Sequence, residues 1–209
     1  MAIKFIENLL SENWNETFED PISCVVCSSK LLLLKNFYRL TPFVVSNAGC
    51  QAVTNLASVH YAVKNYDLKL ISIIDTNSSK IKELISGEYP AGEFEFKTLM
   101  KIYEENYEII APLYEDEKLL NNAFLELNID FQIEMIKNIP EFEKLISEEN
   151  LTVCGFIFDS EKVYGETPSF YLINYNGITD PEEIKQIEAL ESLSENLLNS
   201  KVKRIHIQV

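Results

Sequence analysis

The chain has 209 residues, 46% of them hydrophobic and 11% aromatic, enough to bury a sizeable core in one domain spanning 1–209. Eighteen Lys and Arg against 33 Asp and Glu leave a formal charge of −15, which repels nucleic acid and acidic membrane surfaces from most approaches. Six glycines and seven prolines are too few for a fibrous or disordered chain.

The longest apolar run centres on Leu31–Leu34, far short of the roughly 20 residues that cross a bilayer. The pattern Met1–Trp14 is interrupted by Lys4, Glu7 and Glu12, unlike a secretory signal. A cytoplasmic protein is expected. Cys24, Cys27 and Cys154 sit in apolar, strand-like runs, where a thiol usually only packs.

Ile3, Phe5, Ile6, Leu9 and Leu10 predict a short amphipathic helix over Ile3–Trp14, within an N-terminal arm of 1–20. Ile22–Ser28, after Pro21, reads as a buried strand, and Phe43–Ser46 as a second, ending in Asn47-Ala48-Gly49. Val53, Leu56, Ala57, Tyr61 and Val63 suit a helix over Gln51–Tyr66, and Lys69–Asp75 is a short β-branched strand. Strand, helix, strand in this order implies a parallel sheet. Glu93–Ser147 is helical and acidic, punctuated by Pro112 and Pro140, since a proline inside a helix costs about 3 kcal/mol.

Leu151–Phe158 is a fourth strand, and Ser169–Tyr175 follows so closely that antiparallel pairing is expected. Pro181–Leu198 predicts a last helix capped by Asp180, and the alternation over Val202–Val209 an added edge strand. Ligands of such sheets sit beyond the carboxyl ends of the strands. Those ends are Cys27-Ser28-Ser29, Asn47-Ala48-Gly49-Cys50 and Asp75-Thr76-Asn77-Ser78.

The ordered set Val25-Val26-Cys27-Ser28, Asn47-Ala48-Gly49, Ala57–Val63, Leu68–Ile74, Asn128–Ile136 and Leu151–Asp159 resembles the β-carbonic anhydrases. The likeness runs from about Pro21 to Asp159. It implies an α/β, β-carbonic-anhydrase-like fold. A mostly parallel central sheet would be flanked by helices, with an antiparallel strand after the core and an N-terminal helical arm. In that family zinc is held by the Cys of Cys-x-Asp-x-Arg and by the His and Cys of His-x-x-Cys. Cys27 matches the first ligand, but Asp75 stands at the histidine and Ser78 at the second cysteine. Ser29 and Leu31 replace the Asp–Arg dyad, and Ser46 replaces the arginine before Asn-Ala-Gly.

A serine hydroxyl is a poor zinc ligand, and a catalytic zinc needs three Cys, His or carboxylate ligands. Without zinc nothing lowers the pKa of water to about 7. The expectation is therefore a dismantled site in Cys27, Ser29, Asp75 and Ser78, with no metal, no cofactor and no hydration of carbon dioxide. Scaffold, partner or small-ligand roles remain.

Other uses of the same residues stay open. Cys24 and Cys27 form a redox or metal pair, or pack as two thiols on opposite faces of a strand. Cys50 approaches Cys27 and rebuilds a ligand set with Asp75 for a residual metal-dependent lyase, or it does not. Cys27 as nucleophile needs a base or cation nearby, and only Lys30 is close in sequence. Asp75 acts as a base or caps a helix starting near Asn77. Asn47, Gly49, Thr76 and Asn77 are the ligand-binding candidates, the last two facing an anion or simply starting a helix. The resemblance also implies a homodimer paired through the sheet edge. The apolar side of Ile3–Trp14 has no obvious partner in its own chain and would lie over the neighbour.

Overall fold

The computed structural model describes residues 1–16, 18–78 and 93–205. Five strands form one sheet: β1 (Cys24–Ser28), β2 (Phe43–Asn47), β3 (Leu70–Thr76), β4 (Thr152–Asp159) and β5 (Ser169–Tyr175), in the order β2-β1-β3-β4-β5. The first four are mutually parallel and β5 pairs antiparallel to β4, as the short connection requires. β1 and β3 are buried along their whole length, which is why they read as unbroken apolar runs rather than alternating ones.

Each face of the sheet carries its own core. On one face Cys24, Val26, Ile71 and Ile73 pack beneath α2 (Leu56–Tyr66), α3 (Glu93–Ile110), α4 (Glu117–Lys137) and α5 (Pro140–Ser147). On the other, Val25, Cys27, Leu70 and Ile74 pack beneath α1 (Ala2–Ser11), α6 (Pro181–Lys185) and α7 (Glu195–Lys201). Cys24 and Cys27 thus project to opposite faces, and all four cysteines are free and buried. The acidic middle is helical with breaks at the expected prolines: Pro112 lies in a 3-10 turn and Pro140 opens α5. α4 lies close on β4 because Gly155 has no side chain, and a Cβ there would run into Ile129.

Three expectations are corrected. First, α1 ends at Ser11, where Glu12 turns left-handed (φ 53°). α1 also has a partner in its own chain. Phe5, Ile6, Leu9 and Leu10 are fully buried in the core that contains Phe170, Leu172 and Leu198, and Trp14 meets Phe170 edge-on at 6.1 Å. Burying each such side chain is worth about 1.5–3 kcal/mol, enough to hold a helix too short to stand alone.

Second, Pro181–Leu198 is not one helix. Asp180 does cap α6, accepting from Glu182 N at 2.7 Å and Glu183 N at 3.0 Å. The chain then passes through a 3-10 turn at Glu188–Leu190 and restarts at Glu195 under a Ser194 cap. Ile184, Ile187, Leu190 and Leu193 are spaced by three, and all join one core. An α-helix advances 3.6 residues per turn, so that spacing would drift around its surface; a broken chain keeps the four side chains pointing inward.

Third, the edge strand expected over Val202–Val209 is a single bridge from Val202 to Leu172 as far as Ile205, and 206–209 lie outside the described residues. The helix expected to start near Asn77 falls in 79–92, also outside them.

Candidate functional site

Register fixes what the carboxyl edge presents. Cys27 lies beside Ser46 of β2 and Ile74 of β3, and Ser28 beside Asn47. In-register neighbours share a face, so Cys27 goes with Ile74, whereas Asp75, next along β3, follows Ile71 and Ile73 to the other face. The side chains of Cys27 and Asp75 therefore leave the sheet on opposite faces, though close enough for the Asp75 charge to act on the thiol. Thr76 returns to the face of Cys27.

The Cys27 thiol is pushed up to about 12 by burial and then by the charge of Asp75, against a weaker pull from the Ser46 side chain. It is a protonated thiol at neutral pH. Lys30 does not activate it, because its ammonium donates to the carbonyl of Ser78. Ser29 is exposed and Leu31 is core, so neither takes up the work of a dyad.

The remaining candidates are engaged with backbone. Asp75 is fully buried, and its Oδ1 accepts from Thr76 N at 2.8 Å. The Thr76 hydroxyl lies 3.2 Å from that of Ser78 and 3.4 Å from that of Ser160. Asn77 stitches β3 to the loop after β4. Its Oδ1 accepts from Ser160 N at 2.8 Å and Glu161 N at 3.1 Å, and its Nδ2 donates to Asp159 at 2.6 Å. Asp159 also accepts from Val163 N at 2.9 Å and Tyr164 N at 2.7 Å. These bonds satisfy buried amides that would otherwise cost about 1–3 kcal/mol each.

Asn47 closes the turn after β2, its amide side chain bridging the N–H and carbonyl of Gln51 at 2.7 and 2.8 Å. Gly49 is left-handed (φ +74°), and a Cβ there would also run into Leu99. Its carbonyl accepts from Gln51 Nε2 and Asn128 Nδ2, both at 2.9 Å, and Gln132 Oε1 accepts from Val53 N at 3.0 Å. Asn47 and Gly49 thus hold the turn against α4. Cys50 enters the site region, but its thiol is 3.3 Å from the carbonyls of Val26 and of Ile74, and burial and the Asp75 charge raise its pKa well above normal.

No protein-family model and no curated protein matches the sequence. Solved structures do match in fold. The β-carbonic anhydrase CafA of Aspergillus fumigatus aligns with 97% of this chain and 92% of its own at 16% identity, with a TM-score of 0.60. A Coccomyxa β-carbonic anhydrase in complex with acetazolamide aligns over 90% of each chain at 15% identity and a TM-score of 0.59. One of two tetrameric β-carbonic anhydrases of Sordaria macrospora aligns with 72% of this chain and 79% of its own at 20% identity, TM-score 0.58. The chain has a β-carbonic-anhydrase-like fold.

Zinc is the metal that the resemblance to the β-carbonic anhydrases implies for this site. Three side chains of Cys, His or carboxylate type must converge on one point. Among the described residues no group of three His, Cys, Asp or Glu side chains does so. Cys27 and Asp75 project to opposite faces, Cys50 is turned to backbone carbonyls, and Ser78 supplies only a hydroxyl. The described donor set does not fit, and the rebuilt set of Cys27, Cys50 and Asp75 is not assembled.

Sequence reasoning missed two polar networks in this β-carbonic-anhydrase-like fold. One is the Asn77–Asp159 stitch. The other joins α4 to the C-terminal strap Val202–Ile205. Arg204, its side chain only 1% exposed, pairs with Asp130 and lies 3.5 Å from the fully buried Glu126. Glu126 also accepts from the Tyr164 hydroxyl at 2.5 Å and from Ile205 N at 2.8 Å. Asp130 accepts from Asn174 Nδ2 at 2.7 Å. The acids sit four apart on one helix face, but nothing local ties them to an arginine 74 residues on.

Proposed function

We propose that this chain is a non-catalytic protein of the β-carbonic-anhydrase-like fold, a single domain over 1–209 that serves as a scaffold, partner subunit or small-ligand binder. One observation carries the reading: at the carboxyl edge, where the fold's site is sought, the polar side chains bond to the protein's own backbone and the described donors do not converge. A zinc-bound hydroxide is the source of hydration chemistry at neutral pH, and three replaced positions, Asp75, Ser78 and Ser29, remove what would hold and orient it. The alternative, altered chemistry by Cys27 as nucleophile or Asp75 as base, has less support. A thiol raised to about 12 offers little thiolate, and Asp75 is closed to solvent. Stopped-flow hydration of carbon dioxide with zinc supplied should give the uncatalysed rate; zinc-dependent acceleration would defeat the proposal.

The same reading includes a homodimer through the open edge of β2. β2 has no outer neighbour strand among the described residues. Beside it Phe43, Tyr61 and Tyr66 form an aromatic group with ring centroids 5.6–6.5 Å apart. Tyr61 is 54% and Tyr66 42% exposed, and aromatic side chains of this kind are enriched at interfaces. The Sordaria relative is tetrameric by its description. The N-terminal arm no longer supports the pair, since it docks on its own chain. Light scattering should give twice the chain mass, reduced by Tyr61→Glu with Tyr66→Glu; a monomer at micromolar concentration would contradict it. Four free buried thiols fit a reducing compartment such as the cytoplasm, which cell fractionation checks.

A further inference from the structure

A second region stands apart from the carboxyl edge of β1–β3. On the β5 side of the sheet, α6, α7, the Val163-Tyr164 loop and the strap Val202–Ile205 line an open pocket of about 450 Å³. That is within the range of small-molecule sites, which are mostly apolar with a few placed polar groups. Its walls are mixed: Val163, Pro181, Val202 and Ile205 are apolar, and the charged groups on it are Lys185, Lys203, Arg204 and Glu182.

Charge makes this pocket unlike the rest of the molecule. The chain carries −15 overall, yet here cations gather. Lys185 has a side chain only 19% exposed and pairs at 2.6 Å with Glu182, which is itself 76% exposed. Lys203 donates to the carbonyl of Tyr164 at 2.9 Å, which uses one of its three N–H groups. Lys201 stands close by, 5.3 Å from the Tyr171 ring that Lys203 also approaches at 5.7 Å. Burial and the charge of Lys203 lower the Lys201 pKa, against an opposing pull from Glu12, so the cations repel one another. Arg204 is already matched by Asp130 and Glu126 from behind, which leaves the two lysines as the cations facing the space.

We propose that this pocket binds a small organic carboxylate, its carboxylate between Lys185 and Lys203 and its apolar body against Val163, Pro181, Val202 and Ile205. The class follows from the donors. The guanidinium fork that suits phosphate bidentately is occupied by Asp130, and two ammonium point charges above apolar walls suit a single carboxylate on a hydrocarbon. The site lies off the carboxyl edge, so its fate is independent of the zinc question.

Isothermal titration of the full chain at physiological salt with benzoate, hexanoate and inorganic phosphate tests this. Benzoate or hexanoate should bind at one site per chain, and Lys185→Gln and Lys203→Gln should each weaken binding about tenfold, the loss of one charge-assisted hydrogen bond. Unchanged thermal melts of the two variants would show that the fold is kept. Absence of binding by both carboxylates overturns the proposal, as does binding that both variants leave untouched. Phosphate binding as tightly as benzoate would overturn the carboxylate assignment.

Discussion

Two polar regions of this protein are built on opposite principles. At the carboxyl ends of β1, β2 and β3, Asn47, Asp75, Thr76 and Asn77 engage backbone groups and one another, so turns and loop ends are held by hydrogen bonds. On the C-terminal flank, Arg204, Glu126, Asp130 and Tyr164 bury charge and match it through the packing of α4 on the strap. The first region sits where a fold of this kind places its chemistry, and its described residues make the hydrogen bonds that hold turns and loop ends. The second lies where no chemistry was expected, and it concentrates the charge that a polar ligand or a stable fold can use. Place in a fold therefore does not assign function; the partners of each side chain do.

The contrast predicts unequal losses on mutation. Arg204→Met leaves Glu126 and Asp130 buried without their cation and should cost about 3–5 kcal/mol, the price of breaking rather than replacing a buried pair, read as a lower urea midpoint. Asp159→Ala strips acceptors from Val163 N, Tyr164 N and Asn77 and should cost about 2–3 kcal/mol. If Asp159→Ala proves the more damaging, the flank is not where charge is held most tightly.

A smaller effect separates the thiols from both regions. Cys24 and Cys27 are each raised from 9.0 to about 12, by burial first. Below about pH 9 the thiols are protonated in folded and unfolded chains alike, and their contribution is fully present. Between 9 and 12 only the unfolded chain sheds these protons, so stability falls as pH rises. By pH 10 the loss is about 1 kcal/mol per thiol, and the fall between pH 8 and pH 10 should be smaller by that amount in Cys27→Ala. An identical fall in the variant would mean that Cys27 titrates freely.

Much of this architecture was legible in the sequence. Runs of β-branched residues gave every strand within one or two residues, the short link after β4 implied the antiparallel partner, and Asp180 announced its helix. Cys24 and Cys27 were placed on opposite faces by the period of a strand alone. The same period, carried one step along β3, separates Cys27 from Asp75, but it needs the register of β1 on β3, which motif spacing does not supply. The broken helix after Lys185 was hidden because a three-residue spacing of Ile184, Ile187, Leu190 and Leu193 resembles a helical one over a short window. The own-chain docking of α1 and the pairing of Arg204 with Asp130 are long-range choices of packing, and no local signal encodes them.

Zinc stoichiometry tests most directly the proposal that the carboxyl edge holds no catalytic metal. The chain, purified without chelator, incubated with zinc and desalted, should retain well under one zinc per chain by elemental analysis, with no difference in Cys27→Ala. One zinc per chain that disappears in Cys27→Ala would contradict the account.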